Sequence, residues 1–128
     1  MEYPNLLPRF LKYVKVNSRS DEHSDRFPST EREENFQKNV IMKDLEDLGL
    51  SDIHYNQKAG SVIAEIPSNV DYDVPVMGFL AHSDTADFNS ENVKPQIHKN
   101  YDGESKIQLG DSEFYLDPKV FPHLKNYK

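Results

Sequence analysis

Apolar positions along this chain follow two different rhythms. Leu6, Leu7, Phe10, Leu11 and Val14 recur three and four residues apart, which gathers them into one stripe of a helix. Asn5 or Pro4 is placed to open that helix, and Asn17-Ser18 to close it. A polar loop from Ser18 to Ser29 follows. A second stripe, Phe36, Val40, Ile41, Leu45 and Leu48, predicts another helix. Thr30 precedes it and Glu33 stands three residues on, the signature of a capping box. Gly49 suits the left-handed position just past its end.

The rhythm then shortens. Residues 52–56 and 61–66 predict two strands, the second bounded by Gly60 and Pro67. Residues 68–73 make a polar connection. The most apolar run of the chain, Val74-Pro75-Val76-Met77-Gly78-Phe79-Leu80-Ala81, comes next. Such a run reads as a strand buried on both faces, and its closeness in sequence to 61–66 predicts that the two pair. Pro95-Gln96-Ile97 looks extended, and Tyr101-Asp102-Gly103 reads as a turn. Ile107-Gln108-Leu109 and Phe114-Tyr115-Leu116 flank Gly110-Asp111 like a hairpin. Pro118 and Pro122 then break the pattern, and 124–127 predict no final element. Helices interleaved with strands predict an α/β fold class.

Composition narrows the function. A chain of 128 residues is long enough for one domain, but only 36% of it is hydrophobic, so its core is lean. Its 7 Tyr and 7 Phe supply much of the area that can be buried. The net charge of −7, from 15 basic and 22 acidic residues, argues against nucleic acid, because phosphate binding needs a basic surface. With no cysteine, disulfides, thiolate metal sites and cysteine nucleophiles are excluded. No apolar stretch approaches the ~20 residues that span a bilayer, and no basic-then-apolar leader pattern opens the sequence. A cytoplasmic protein with no membrane partner is the expectation.

Candidate chemistry sits at the end of the apolar run, at His82-Ser83-Asp84. Chemistry in open α/β sheets gathers outside the carboxyl ends of strands. Imidazole and carboxylate suit a zinc-type ion, with His82 as ligand and Asp84 orienting its ring. Equally, a strand can simply end in a polar turn. His23, His54, His98 and His123 have no ligand spacing to one another, and the Glu31, Glu33, Glu34 cluster falls in a first helical turn, where the helix dipole favours negative charge. No nucleophile elbow and no phosphate-cradling glycine loop is present, so no cofactor-binding residue is assigned.

Longer motifs carry a resemblance. Gly78-Phe79-Leu80-Ala81-His82-Ser83-Asp84-Thr85-Ala86-Asp87-Phe88-Asn89 resembles the peptidase T group of the M20 zinc-peptidase family, the bacterial aminotripeptidases. Asn92 to Ile97 with Asn100 to Gly103, Leu116 to Pro122, and Pro28 to Glu31 look like further segments of that group. The match extends over essentially the whole chain.

The resemblance implies a partial α/β/α zinc-peptidase catalytic domain with a mixed sheet flanked by helices. It implies two Zn2+ per complete enzyme, removal of the N-terminal residue from tripeptides, His82 as a zinc ligand and Asp84 as the catalytic residue that orients or supports the site. The bridging Asp, a Glu-Glu pair and the other ligands belong to later motifs of the family, as does the lid and dimerisation domain through which the complete enzyme would form a homodimer. Residues 1–128 are therefore expected to be the N-terminal part of an M20-type catalytic domain, inactive alone. The alternative is a non-catalytic remnant that binds a peptide or a protein partner.

Overall fold

The computed structural model of the chain describes residues 3–86 and 88–127, and these divide between two compact units, Met1–Val93 and Lys94–Lys128. Asp87, within the matching segment, lies outside the described residues.

The first unit is organised around one long helix in three consecutive parts. Helix α2 (Glu31–Phe36) runs into a π-helical turn (Gln37–Ile41) and then α3 (Met42–Asp47). The capping box read from the sequence is present: the Thr30 side chain accepts from the Glu33 backbone N–H (3.2 Å), and the Glu33 carboxylate accepts from the Thr30 N–H (2.7 Å). Gly49 ends the helix at φ +79°, a conformation in which a Cβ would be strained.

Strands β1 (Ser51–Asn56) and β2 (Ser61–Glu65) follow as an antiparallel hairpin, with His54 opposite Ile63 and Tyr55 opposite Val62. Gly60 turns between them at φ +58°, where an added Cβ would meet the Phe27 ring at 2.8 Å. The helix is fastened to this hairpin by Gln37. Its buried carboxamide donates to the Gly60 carbonyl (2.9 Å) and accepts from the Val62 N–H (3.0 Å). The wider π turn begins at this residue. Lys38, one position on, lies 4.5 Å from the centre of the Tyr55 ring, a cation–π contact between helix and hairpin.

Helix α1 (Leu6–Tyr13) docks differently from the expectation of a buried apolar stripe. Leu6, Leu7 and Phe10 are exposed. The helix is held instead by its polar edge: Tyr13 Oη donates to Asp44 Oδ2 (2.7 Å), Lys12 pairs with Asp44 Oδ1, and Arg9 Nε lies 3.8 Å from Oδ2. A buried carboxylate needs such partners, because an unpaired one is expensive to desolvate. The Tyr13 ring also meets Phe36 edge-on, 5.4 Å between centroids. Among the described residues Phe36 is the one buried apolar side chain other than proline, 4% exposed.

The apolar run 74–81 does not form the buried strand expected of it. It joins no ladder, β2 pairs with β1 alone, and Val76 and Leu80 are each 99% exposed. A strand is stable only with neighbours for its backbone groups and cover for its side chains. The described residues supply neither to this segment.

The second unit holds β3 (Ile107–Gln108) and β4 (Tyr115–Leu116), antiparallel with Ile107 opposite Leu116, around a turn in which Gly110 sits at φ +58°. Lys106 Nζ contacts Asp117 Oδ2 at 2.7 Å. A short 3-10 helix forms at Pro122–Asn126, where the pattern predicts nothing regular. Helix and strand content agrees with the α/β class. Both sheets are two-stranded and antiparallel.

Burial opposes ionisation of Asp44, but hydrogen bonds from Lys12 and Tyr13 outweigh it and hold the carboxyl below its ordinary range. Burial first, and then the hydrogen bond to Asp44, raise the Tyr13 phenol to about 12. A lowered carboxyl stabilises the fold above the ordinary carboxylate range and loses that contribution as pH falls through the folded value. A raised phenol contributes fully below 10.0 and loses its contribution as pH rises towards about 12. Phenolate absorbance should therefore show a last step near 12 that disappears in Tyr13→Phe; a final step near 10 would contradict the network. Thr30→Ala should cost about 1 kcal/mol in urea unfolding. Gln37→Ala, which leaves the Gly60 carbonyl and the Val62 N–H unpaired, should cost about 1–3 kcal/mol. Losses under half of either figure would show that these bonds do not fasten the helix.

Candidate functional site

The end of the apolar run is pinned by a loop from far earlier in the chain. Thr85 N–H donates to the Ser18 carbonyl (3.1 Å) and Ser20 N–H donates to the Thr85 carbonyl (3.0 Å), a parallel bridge centred on Arg19. Ser18 is buried, and its hydroxyl donates to the Ser83 carbonyl (3.2 Å) and lies 3.2 Å from Thr85 Oγ1. Buried Ser90 donates to Asn17 Oδ1 (2.8 Å). The same loop joins the helix start, since the Thr30 hydroxyl reaches the Arg19 carbonyl (3.0 Å). Residues 82–85 are thereby held against the helix cap by hydrogen bonds, although the apolar segment before them is unsupported.

His82 and Asp84 meet on this anchored stretch, with Nδ1 3.2 Å from Oδ1. The His82 side chain is 85% exposed and that of Asp84 34%. Partial burial works against the Asp84 charge, but hydrogen bonds from Ser20 and His82 outweigh it and keep the carboxyl below its usual range. An ionised carboxylate only accepts, so Nδ1 of a neutral imidazole must carry the proton and Nε2 keeps its lone pair. That is the arrangement a metal-ligating histidine takes when an outer carboxylate orients it. A cleft of about 260 Å³ lies beside the pair, lined also by Glu33, Gln37 and Val62.

The two residues singled out from the sequence are thus together. Three of the other four histidines are engaged elsewhere: His23 Nε2 is 3.5 Å from Glu22, His54 Nδ1 is 2.9 Å from the Asp52 carbonyl, and His123 packs edge-on to Phe121. Among the described residues no group of three or more His, Cys, Asp or Glu is placed to hold a metal ion. The donor set fits one ligand with its orienting carboxylate, which is short of the three protein ligands of a catalytic zinc centre. Sequence reasoning missed Ser18, Ser20 and Thr85. They lie about 65 residues apart along the chain, and a serine in a polar loop carries no sign of a distant partner.

No protein-family model matches the chain. Its relatives are more specific. The chain is 94% identical over 128 residues to Peptidase T of Lactobacillus helveticus, covering 100% of this chain and 31% of that protein. It is 52% identical over 128 residues to Peptidase T of Latilactobacillus sakei subsp. sakei (strain 23K), covering 99% of this chain. Against Peptidase T of Enterococcus faecalis (strain ATCC 700802 / V583) it is 55% identical over 127 residues, covering 98% of this chain. The chain spans 31% of the length of each of these curated relatives. Likeness to peptidase T therefore runs the whole length of this chain, and the resemblance carried by its motifs is borne out. No helix among the described residues is long and apolar enough to cross a membrane.

Ser18→Ala tests the anchoring directly. It should leave helical content unchanged while speeding amide exchange at Ser20 and Thr85 by about fivefold or more, the expected effect of losing one buried hydrogen bond. Unchanged exchange at both amides would show that the hydroxyl does not hold the bridge.

Proposed function

We propose, from the likeness to peptidase T along the whole chain, that these residues form the N-terminal part of an M20-type aminotripeptidase catalytic domain. In this reading His82 holds one of two zinc ions through Nε2, and Asp84 orients the ring through Nδ1. The observation that carries it is the His82–Asp84 contact of 3.2 Å on a stretch tied to the helix cap. When bound, zinc would supply Lewis acidity and an activated water for attack on the peptide carbonyl. This chain's residues contribute a fixed imidazole and a carboxylate that stays ionised, while the remaining ligands and the general base come from elsewhere in the complete enzyme. Tripeptides in the cytoplasm are the substrates, and the complete enzyme is a homodimer. The mixed, helix-flanked α/β/α sheet belongs to that complete domain, with 74–81 as one of its strands.

A single histidine cannot hold zinc tightly, so the 128-residue chain alone is inactive in this reading. The bare apolar residues Val76, Met77, Phe79 and Leu80 favour a second reading, a non-catalytic module that binds a peptide or a protein partner there. Metal content separates the two. The complete Lactobacillus helveticus relative should carry about two zinc ions per chain. His82→Ala in it should lower tripeptide cleavage by more than about 100-fold, beyond what outer partners of a metal site are worth, with little change in thermal unfolding. Near-normal turnover of that variant would overturn the ligand assignment, and tripeptide cleavage by the zinc-loaded 128-residue chain would overturn its inactivity.

A further inference from the structure

We propose that Glu33 is the residue by which this site recognises a free peptide N-terminus: its carboxylate receives the α-ammonium group of the tripeptide. This rests on the aminotripeptidase reading and deepens it. Glu33 differs from the other acidic residues of its helical turn. Glu31 is exposed, and Glu34 is taken by Arg26 and Lys38. Glu33 is 9% exposed, and its two oxygens are used unequally. Oε2 accepts from the Thr30 N–H (2.7 Å) and the Ser29 hydroxyl (2.5 Å), and it lies 2.9 Å from Thr30 Oγ1. Oε1 takes no hydrogen bond among the described residues. Nor is it sealed in: Tyr55 Oη is the one enclosed side-chain polar atom without a partner among the described residues. Oε1 therefore meets solvent, and Glu33 lines the cleft of about 260 Å³ that His82 and Asp84 also line.

The charge of the cleft selects its occupant. The long helix lines it with Glu33, Gln37 and Ile41, spaced four residues apart and so on one face. Both ends of the Gln37 carboxamide are spent on the hairpin, and Ile41 is apolar, so Glu33 is the one charged group this face offers. A carboxylate with an open oxygen suits a cation. That cation is not a metal ion held by this chain, because Glu33, His82 and Asp84 form no metal-holding group among the described residues. An organic cation fits the chemistry. The first residue of a tripeptide carries an ammonium where an internal residue has a neutral amide N–H. A carboxylate binds the ammonium by a charge-assisted hydrogen bond, stronger than the one a neutral N–H would give. The capping box already fixes Oε2, so Oε1 is presented without further ordering of the side chain.

Calorimetric titration of the metal-free complete Lactobacillus helveticus relative compares a tripeptide with its des-amino analogue, in which hydrogen replaces the α-ammonium. The tripeptide should bind about tenfold or more tighter, the worth of one hydrogen bond to a charged group. Glu33→Gln at the equivalent position keeps the capping box, in which glutamine also serves. It should cut the preference to about twofold or less with thermal unfolding unchanged. In the zinc-loaded enzyme the same variant should raise KM by about tenfold and leave kcat within about threefold, the pattern of lost uniform binding. No preference for the amine in the unaltered protein, or a preference that survives Glu33→Gln, would overturn the inference. His82→Ala tests the reading beneath it separately. Turnover that requires His82, without any amine preference, would sink the Glu33 assignment alone. An amine preference lost in Glu33→Gln, with turnover indifferent to His82→Ala, would remove the zinc reading and leave Glu33 as the receptor of the N-terminus.

Discussion

The main-chain bridge between Ser18–Ser20 and Thr85 is the constraint on which the site depends. It is made by two backbone hydrogen bonds, Thr85 N–H to Ser18 and Ser20 N–H to Thr85. The segment that leads into it has neither strand partners nor buried side chains. Without the bridge, His82 and Asp84 would ride on an unsupported stretch, and the 3.2 Å contact between them would be one of many arrangements. With it, they are tied through the Arg19 carbonyl to Thr30 and so to the start of the long helix. The helix is in turn fastened to the hairpin by the Gln37 carboxamide.

Polar contacts carry an unusual share of this first unit. Glu33, Gln37, Asp44, Ser18 and Ser90 are all buried, whereas Phe36 is the one buried apolar side chain other than proline among the described residues. Burying polar groups is tolerable only where each finds its partner. These five do: Glu33 in the capping box, Gln37 on the hairpin turn, Asp44 on three groups of α1, and the serines on backbone or Asn17, whereas the buried Tyr55 hydroxyl has no hydrogen-bond partner among the described residues. Such a framework specifies geometry more than it supplies free energy. The apolar area that would supply it, at Leu6, Phe10, Val76, Phe79 and Leu80, is left in water.

What was legible in the sequence follows from how local each signal is. Thr30 and Glu33 are three residues apart, and the capping box forms as read. Gly49 and Gly60 mark their turns, and the 51–56 and 61–65 strands lie within a residue or so of expectation. The His82–Asp84 pair was legible because both residues sit on one short stretch. The burial of 74–81 and its pairing with β2 were not borne out, because periodicity reports what a segment prefers and not whether a neighbour is present. The docking of α1 through Asp44 was missed for a related reason. A stripe of leucines outweighs, by eye, the Arg9, Lys12 and Tyr13 edge that makes the contacts. Ser18 and Ser20 were invisible as site residues, since nothing local marks a serine that pairs with Thr85.

Proximity of His82 to Asp84 bears on catalysis only if the free nitrogen meets a metal. Zinc-edge X-ray absorption or anomalous diffraction on the complete Lactobacillus helveticus relative measures this most directly. The account expects a zinc ion about 2.0–2.1 Å from Nε2 of the residue equivalent to His82, with Nδ1 still on the carboxylate equivalent to Asp84. Zinc bound with that imidazole outside its coordination sphere, or ligated through Nδ1 with Asp84 turned away, would contradict it.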